Sequence, residues 1–578
     1  MPVEWIVRVN TASGEIVKTK ATPEEMTWGG RMLIAKVLLR EVPPTCEVLG
    51  RHNKLILASG LLSDTPVTTT GKLSIGGKSP LTKGVKESNV GGYAGKSLAR
   101  LGIRALILEG IPREPGTGVL FIGNEKMSIV DMPNLKSLLV GETIKALREE
   151  YGSDVGIICI GPAGEMLMYG AGIAVTDDRD VQVRYAARGG LGALMGSKGI
   201  KAIVISDKGA ARPRFADRDL LLKASRELVQ DLLADPKTEN RNTYGTPAIL
   251  ALANQVGLLP TRNFSSGSFE NADVICGEYV RETIAARGGE GRSGTPCVAG
   301  CAIMCSNVFP NKDGKPIVAS IQYENIALLG SNCGIGNIDD IAELNDICNQ
   351  VGVDAIEVGA AIGVAMEAGV IPFGDAEGAK DLIRQIGKGT YLGRILGHGV
   401  VTTGRLLGIR RVPAVKGQAI PAYDPRALKG NGVTYVTSPM GADHTAGNAF
   451  ETLKKINPIG REKQVESSRR LQIRAAMLDS LGLCLFTRPP FIRKPNLLRD
   501  LLKGRYGDDI DVENPRKIGE ETLEAEREFN LRAGVSEEFY PIPEFMQDEP
   551  LPPTNSVFDI PMDEMQRIWD IELPSTDL

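Results

Sequence analysis

Histidine is almost missing from this 578-residue chain: His52, His398 and His444 are the only three. A metal site built from clustered imidazoles is therefore excluded. Positive charge is not in excess either, with 67 Lys and Arg against 71 Asp and Glu, so the basic footprint that a nucleic acid or an anionic membrane surface requires is absent. No apolar run approaches the roughly eighteen residues of a membrane-spanning helix. Met1 to Asn10 lacks the basic and then apolar pattern of a secretory leader, and a soluble cytoplasmic protein is expected. The nine cysteines are odd in number and, outside one group, stand singly, which does not fit a secreted disulfide framework. Cys46, Cys159, Cys276, Cys333 and Cys348 read as packing thiols.

The exception is the stretch TPCVAGCAIMCSNVF, where Cys297, Cys301 and Cys305 follow a four-residue repeat. A fourth thiol, Cys484, stands far downstream in LDSLGLCLF, and three clustered sulfurs plus one distant partner is a common way of holding a 4Fe-4S cluster. Four thiolates suit zinc by softness as well, but structural zinc sites commonly pair two close couplets. The other reading is a small apolar stripe at helical i, i+4, i+8 spacing. A cluster implies electron transfer in a reducing, anaerobic cell.

The chain is too long for one core and should divide into several domains. Its 67 glycines exceed the roughly 40 of average usage, pointing to tight turns and close backbone approaches to a ligand. Residues 1–208 read as a β-rich domain: EWIVRVN and EIVKTK form a hairpin around Ser13-Gly14, and KLILAS, RALILEG, GVLFIG, VGIICIG and KAIVIS are buried strands. Thr22-Pro23-Glu24-Glu25 predicts a helix running to about Arg40. Two Gly-rich segments with Lys or Arg, Gly71 to Gly95 and Arg184 to Lys198, are either phosphate cradles or ordinary loops.

After Ser206 the periodicity turns helical, in FADRDLLLKASRELVQDLLAD, IDDIAELNDICNQVG, AIEVGAAIGVAMEAG, GAKDLIRQIGKGT, KQVESSRRLQIRAAMLDSLG and GEETLEAEREFNLRAG. These suggest two mostly helical domains, 209–415 carrying the cysteine group and 416–578 carrying Cys484, and an α+β fold overall. The Pro-rich PIPEFMQDEPLPPT is expected as a tail over the surface. No repeat of 20 to 50 residues is evident.

Taken in order from Lys72 to about Gly534, these segments resemble the aldehyde ferredoxin oxidoreductase family of tungsten enzymes. The likeness is carried by GGKSPLTKG with SNVGGYAG, RYAARGGLGALMGSKGIKAI, LPTRNF, the Cys297 group, YENIALLGSNCGI, NQVGVD, YDPRALKG, GADHTAG, DSLGLC and EREFNLRAG. It implies a β-rich pterin-binding base under two helical domains. It further implies tungsten, less often molybdenum, held by two pyranopterins whose phosphates share a magnesium ion, with an aldehyde as substrate. Ferredoxin or a cluster-bearing subunit is the implied electron partner, and an oligomer is expected.

Carried over by position, Asn89 and Gly91 look like the first phosphate grip, and Lys72 like a basic position where relatives often have Arg. Arg184, Tyr185 and Arg188 look like the second grip. Paired DxxGL(D/C) motifs hold the two pterins in the family; Asp479 and Leu483 carry the second, whereas Asn349 and Val353 replace Asp and Leu before Asp354 in the first. An amide there keeps hydrogen bonds but supplies no charge. Relatives usually space the first two cysteines by two residues, against three between Cys297 and Cys301. Glu324 and His444 resemble the acid-base pair beside the metal, against the readings of a solvated helix residue and a loop histidine. The catalytic subunit of tungsten-dependent aromatic acyl-CoA reductases and a non-catalytic iron-sulfur relay are the alternative functions.

Overall fold

The structure, a computed structural model, describes residues 4–113, 116–177, 183–508, 510 and 513–574. The hairpin of β1 (Trp5–Asn10) and β2 (Glu15–Lys20) turns where Gly14 takes a φ of 74° and the Asn10 side chain accepts from the Ala12 and Ser13 amides. Helix α1 (Gly30–Glu41), β3 (Leu55–Ser59), β4 (Leu73–Lys78), β5 (Val85–Val90), helix α2 (Ala94–Arg100) and β6 (Ile103–Glu109) follow. The sheet order is β2-β1-β6-β3-β4-β5, with β1 and β6 parallel and every other pair antiparallel.

The same plan is then used again. It takes β7 (Gly118–Ile122), β8 (Met127–Asp131), helix α3 (Val140–Tyr151), β9 (Gly156–Cys159) and a short helix α4 (Pro162–Glu165). It ends with β10 (Ile173–Thr176), β11 (Val183–Ala186), helix α5 (Leu191–Ser197) and β12 (Ile200–Ile205). The order is β8-β7-β12-β9-β10-β11, and again the one parallel pair, β7 with β12, joins the hairpin to the last strand. This duplication has a period of about 100 residues, longer than the window in which the sequence shows none. Leu55, Leu57 and Ile75 of the first sheet meet Ile158, Ile173 and Ile203 of the second in a sandwich core. α1 covers the outer face of the first sheet and α3 that of the second.

Helices dominate after residue 206, so the α+β class holds: Arg218–Leu233, Ile338–Val351, Ala355–Glu367, Ala376–Lys388, Gln464–Leu481 and Arg516–Arg532 occupy the segments whose periodicity predicts them. Packing crosses the sequence-based boundaries. Leu221 and Leu228 of the first of these helices share a core with Leu498 and Leu501 of helix Pro495–Tyr506. The Pro-rich stretch is not a loose tail, because Ile542, Phe545, Met546 and Leu551, the apolar residues between its prolines, are buried in the helical core with Ile326 and Val364. Among the described residues no helix is long and apolar enough to cross a membrane.

Two expectations for the base domain need correction. Thr22 and Glu25 exchange their reciprocal backbone bonds at 3.0 and 3.2 Å, but these close a short turn, and the helix starts afresh at Gly30. The break has a packing cause. A Cβ on Gly29 or Gly30 would lie 2.6 Å from the Ser480 oxygen or 2.2 Å from the Asp479 oxygen, so this backbone is laid directly against the end of helix Gln464–Leu481. The Gly71 to Gly95 segment is not a loop but holds β4 and β5; its glycines hide the alternation because Gly76 leaves room for the Lys86 carbonyl and the Ile34 side chain.

Candidate active site

The cysteine segment runs irregularly between strands Arg292–Thr295 and Ser306–Pro310, with Met304 at φ 45° and Gly300 at φ 79°. Left-handed residues break a helix, so the helical-stripe reading is corrected. Cys484 joins the group from the end of helix Gln464–Leu481. Burial, followed by the charges of Cys297 and Cys484, pushes the Cys301 thiol up to about 12 and raises Cys305 as well. All nine cysteines are free. Among the described residues no three of these sulfurs lie within 4.8 Å of one another, whereas a tetrahedral zinc at about 2.3 Å would hold thiolates about 3.8 Å apart. Lys72, just before β4, lies among these sulfurs: burial would lower its ammonium, but the four cysteines, Cys297 foremost, raise it above the ordinary lysine value.

The cysteine segment rests on the turn after β5. Gly92 donates to the Cys297 carbonyl at 2.8 Å, and a Cβ on Gly91 would stand 2.6 Å from that oxygen. Asn89, one residue before the end of β5, has a buried amide nitrogen with no hydrogen-bond partner among the described residues. From β11, Arg184 donates to the Ser306 and Ser320 hydroxyls at 2.8 and 3.3 Å and to the Pro296 carbonyl at 3.5 Å, while its buried Nε has no partner among the described residues.

The expected joint grip of Arg184, Tyr185 and Arg188 divides, however. Strand alternation sends Tyr185 to the opposite face, where its hydroxyl donates to the Asn349 carbonyl. Arg188 is engaged by the protein itself, donating to Asp354 at 3.2 Å and to the Ala442 and Ala419 carbonyls at 2.6 and 2.7 Å. It ties the base to both helical layers.

The two motif turns are built alike. Helix Ile338–Val351 ends in Gly352 at φ 80°, and helix Gln464–Leu481 in Gly482 at φ 73°. Each turn sits against the glycine that follows a matching strand of the duplicated base: a Cβ on Gly161 would be 2.2 Å from the Val351 oxygen, and one on Gly60 2.1 Å from the Gly482 nitrogen. In the first motif Asp354 caps the next helix through the Ile356 amide at 3.0 Å, Val353 is buried and bridges Ala171, and Asn349 is half-buried. In the second, Leu483 is buried and Asp479 lies 3.4 Å from Arg31. Burial pushes the Asp479 carboxyl up to about 7 against the pull of Arg31.

Glu324 and His444, 120 residues apart in sequence, are brought together, with Glu324 Oε1 3.6 Å from His444 Nε2. The solvated-helix reading of Glu324 is corrected, since only 12% of its side chain is exposed. Its Oε2 accepts from the Ala422 amide at 2.8 Å, whose carbonyl takes the Tyr323 hydroxyl at 2.6 Å, while Oε1 is buried without a hydrogen-bond partner among the described residues. Burial raises the Glu324 carboxyl above its ordinary range, and His444 opposes the rise. Tyr423 stacks on the His444 ring, centroids 6.0 Å apart. Among the described residues the buried His444 Nδ1 and Gln418 Oε1 also lack hydrogen-bond partners, Nδ1 standing 3.8 Å from Asp443 Oδ1.

Several supporting residues escape a sequence reading. Burial would raise the Asp443 carboxyl, but Lys86 and Arg188 hold it well below the usual carboxylate range. Glu357 accepts from the Val400 and Ala419 amides at 2.9 and 2.8 Å beside Arg188. Arg31 makes a bidentate pair with Glu526, at 2.8 and 2.9 Å. Asp443 and Glu526 stand inside GADHTAG and EREFNLRAG, so position in a motif is the one signal that could have marked them.

The family model for the aldehyde ferredoxin oxidoreductase N-terminal domain matches residues 6–207, and that for domains 2 and 3 matches 223–569. The chain belongs to this family of oxidoreductases. Tungsten-containing aldehyde ferredoxin oxidoreductases of Pyrococcus furiosus and Thermococcus kodakarensis are each 34% identical to it, over 94% of this chain and 91% of theirs. An aliphatic sulfonate oxidoreductase WOR-like subunit of Pyrococcus furiosus is 26% identical, over 73% of this chain and 71% of its own. The active site complex BamBC of benzoyl coenzyme A reductase, solved with 1,5-dienoyl-CoA, shares the fold at a TM-score of 0.79 and 19% identity, covering 98% of this chain and 93% of that one.

Proposed function

We propose that this enzyme oxidises an aldehyde to a carboxylic acid with a tungsten bis-pyranopterin, and that the two electrons leave singly through a 4Fe-4S cluster to ferredoxin or a cluster-bearing partner. The convergence of the buried Glu324 carboxylate and the His444 imidazole carries this reading, and the donors of Asn89 and Arg184 left without partners among the described residues support it. Asn89, Gly91 and Arg184 would hold pterin phosphate and its magnesium, Asp479 and Leu483 one pterin ring, and the Asn349 to Asp354 turn the other. Cys297, Cys301, Cys305 and Cys484 would hold the cluster. When bound, the pterin metal supplies the two-electron redox chemistry. Glu324 takes the proton from water or the aldehyde hydrate, the pinned Ala422 amide fixing its other oxygen. His444, steadied by Tyr423, orients the substrate oxygen or returns a proton.

The acyl-CoA reductase alternative calls for further imidazoles at the metal, and the other two histidines are engaged elsewhere: His52 accepts from Arg51 at 3.2 Å, and His398 stands edge-on to Tyr169 with centroids 4.9 Å apart. A simple relay would have no use for the Glu324 and His444 pair. The reading is tested on protein purified without oxygen, by metal analysis, pterin fluorescence and dye-linked aldehyde oxidation. Turnover with an aromatic acyl-CoA alone would transfer the chain to the reductases, and iron without tungsten or pterin would favour the relay. Cys301→Ala should strip iron and sulfide; a variant that kept both, with its reduced-state spin signal, would refute the cluster ligands.

A further inference from the structure

Helix Pro236–Tyr244 ends at Gly245, φ 70°, where a Cβ would lie 3.0 Å from the Cys305 carbonyl oxygen. One turn earlier, Arg241 lays its guanidinium over the Phe486 ring, with Cζ 4.2 Å from the centroid. The Phe486 amide in turn donates to Cys484 Sγ at 3.5 Å. Arg241 is thus fixed between two of the four cysteines, through a backbone packed on one and a ring whose amide holds the other. Among the described residues no hydrogen bond or ion pair engages its guanidinium, whereas the nearby Arg488 is paired with Glu451 at 2.9 Å. Burial and Arg488 lower the Arg241 pKa, and the charges of Cys484, Cys305 and, more weakly, Asp235 oppose them, so both sulfurs lie within its field.

An iron-sulfur centre gains negative charge on reduction, and its potential responds to nearby charge, to hydrogen bonds on sulfur and to solvent exposure. A cation held at fixed distance, unpaired and largely out of water, acts on the reduced form more strongly than on the oxidised one. We propose that Arg241 is a positioning residue for electron transfer: its unpaired charge, stacked on Phe486 beside Cys484 and Cys305, stabilises the reduced cluster and raises its reduction potential. This rests on the assignment of the four cysteines to a cluster. The electron originates in aldehyde oxidation and leaves to the one-electron carrier; Arg241 makes and breaks no bond.

The test is a redox titration, followed by the spin signal of the reduced cluster, of holoenzyme purified without oxygen as wild type, Arg241→Gln and Arg241→Lys. Arg241→Gln should keep full iron and sulfide while its reduction equilibrium shifts several-fold toward the oxidised form, a tenfold shift being 59 mV for a one-electron couple. Arg241→Lys should stay close to wild type. Unchanged potential in a fully loaded Arg241→Gln protein would overturn the inference and leave the cluster assignment standing, whereas a wild type without the iron-sulfur signal would remove that assignment itself. Equal falls in both variants would trace the effect to stacking, not charge, and also overturn it. Loss of the cluster from Arg241→Gln alone would support a charge that holds four thiolates together; loss from both would leave Arg241 a packing residue and overturn the proposal.

Discussion

Glu324→Gln should lower aldehyde turnover by about 10²- to 10⁴-fold, the usual contribution of a positioned acid-base group, while tungsten, pterin, iron and sulfide stay at wild-type content. The substitution preserves shape and leaves the amide oxygen free to accept from Ala422, so the fold around Tyr323 and Ala422 should survive. What it removes is the unpartnered Oε1 that faces His444 at 3.6 Å. Burial makes this carboxylate a stronger base by raising its pKa, and the base works ionised. Turnover in the wild type should therefore rise with pH through a limb displaced above the ordinary carboxylate range, and Glu324→Gln should lose that limb. His444→Asn should cost a comparable factor, and the double variant little more than either, because the two act as a unit. Dye-linked assays of metal-replete protein across pH decide the matter. Near-normal turnover in Glu324→Gln, with the acid limb intact, would dismiss Glu324 as the base.

Strands with continuous apolar runs, such as Leu55–Ser59 and Gly156–Cys159, and helices with a clean 3.6-residue stripe were legible because burial on a regular element writes its own period. Three thiols at a fixed spacing are chemically conspicuous, which is why they stand as the proposed ligands. The sandwich's duplication was not legible, because its two halves share topology and turn positions without a short period, and topology is set by pairings that no local window samples. β4 stayed hidden for a related reason: Gly76 is required where the Lys86 carbonyl of β5 and the Ile34 side chain approach, and such a glycine reads as a turn residue. Charge posed a different difficulty. A buried arginine in a Gly-rich segment suggests an anion site, but whether its donors face a ligand or a protein carboxylate depends on partners hundreds of residues away. Arg188 turned to Asp354 and two carbonyls, whereas Arg184, four residues earlier, kept an unanswered nitrogen.

Arg31→Met should destabilise the protein by about 3–5 kcal/mol, the range for removing one partner of a buried ion pair, and should lower bound pterin as well. Arg31 is fully buried, donates twice to Glu526 and reaches Asp479 at 3.4 Å, with Glu87 also in its field. Methionine fills much of the volume, so packing is nearly conserved and the change is chiefly electrostatic: three buried carboxyl groups lose their common cation. The pH dependence follows from the directions of shift. Burial pushes Asp479 up to about 7 and Glu87 up to about 8, so between the ordinary carboxylate range and those values the folded chain holds protons that the unfolded chain has released. Stability contributed by these groups therefore falls as pH rises through that window. Removing Arg31 raises both folded values further, so the variant's deficit should be largest near about pH 9 and shrink near about pH 5, where protonation relieves the uncompensated charge. Unfolding midpoints of wild type and variant at those two pH values give the check, with pterin content measured alongside. A deficit independent of pH would mean that Arg31 acts through Glu526 and packing, not through Asp479 and Glu87, and unchanged pterin would separate Asp479 from the cofactor.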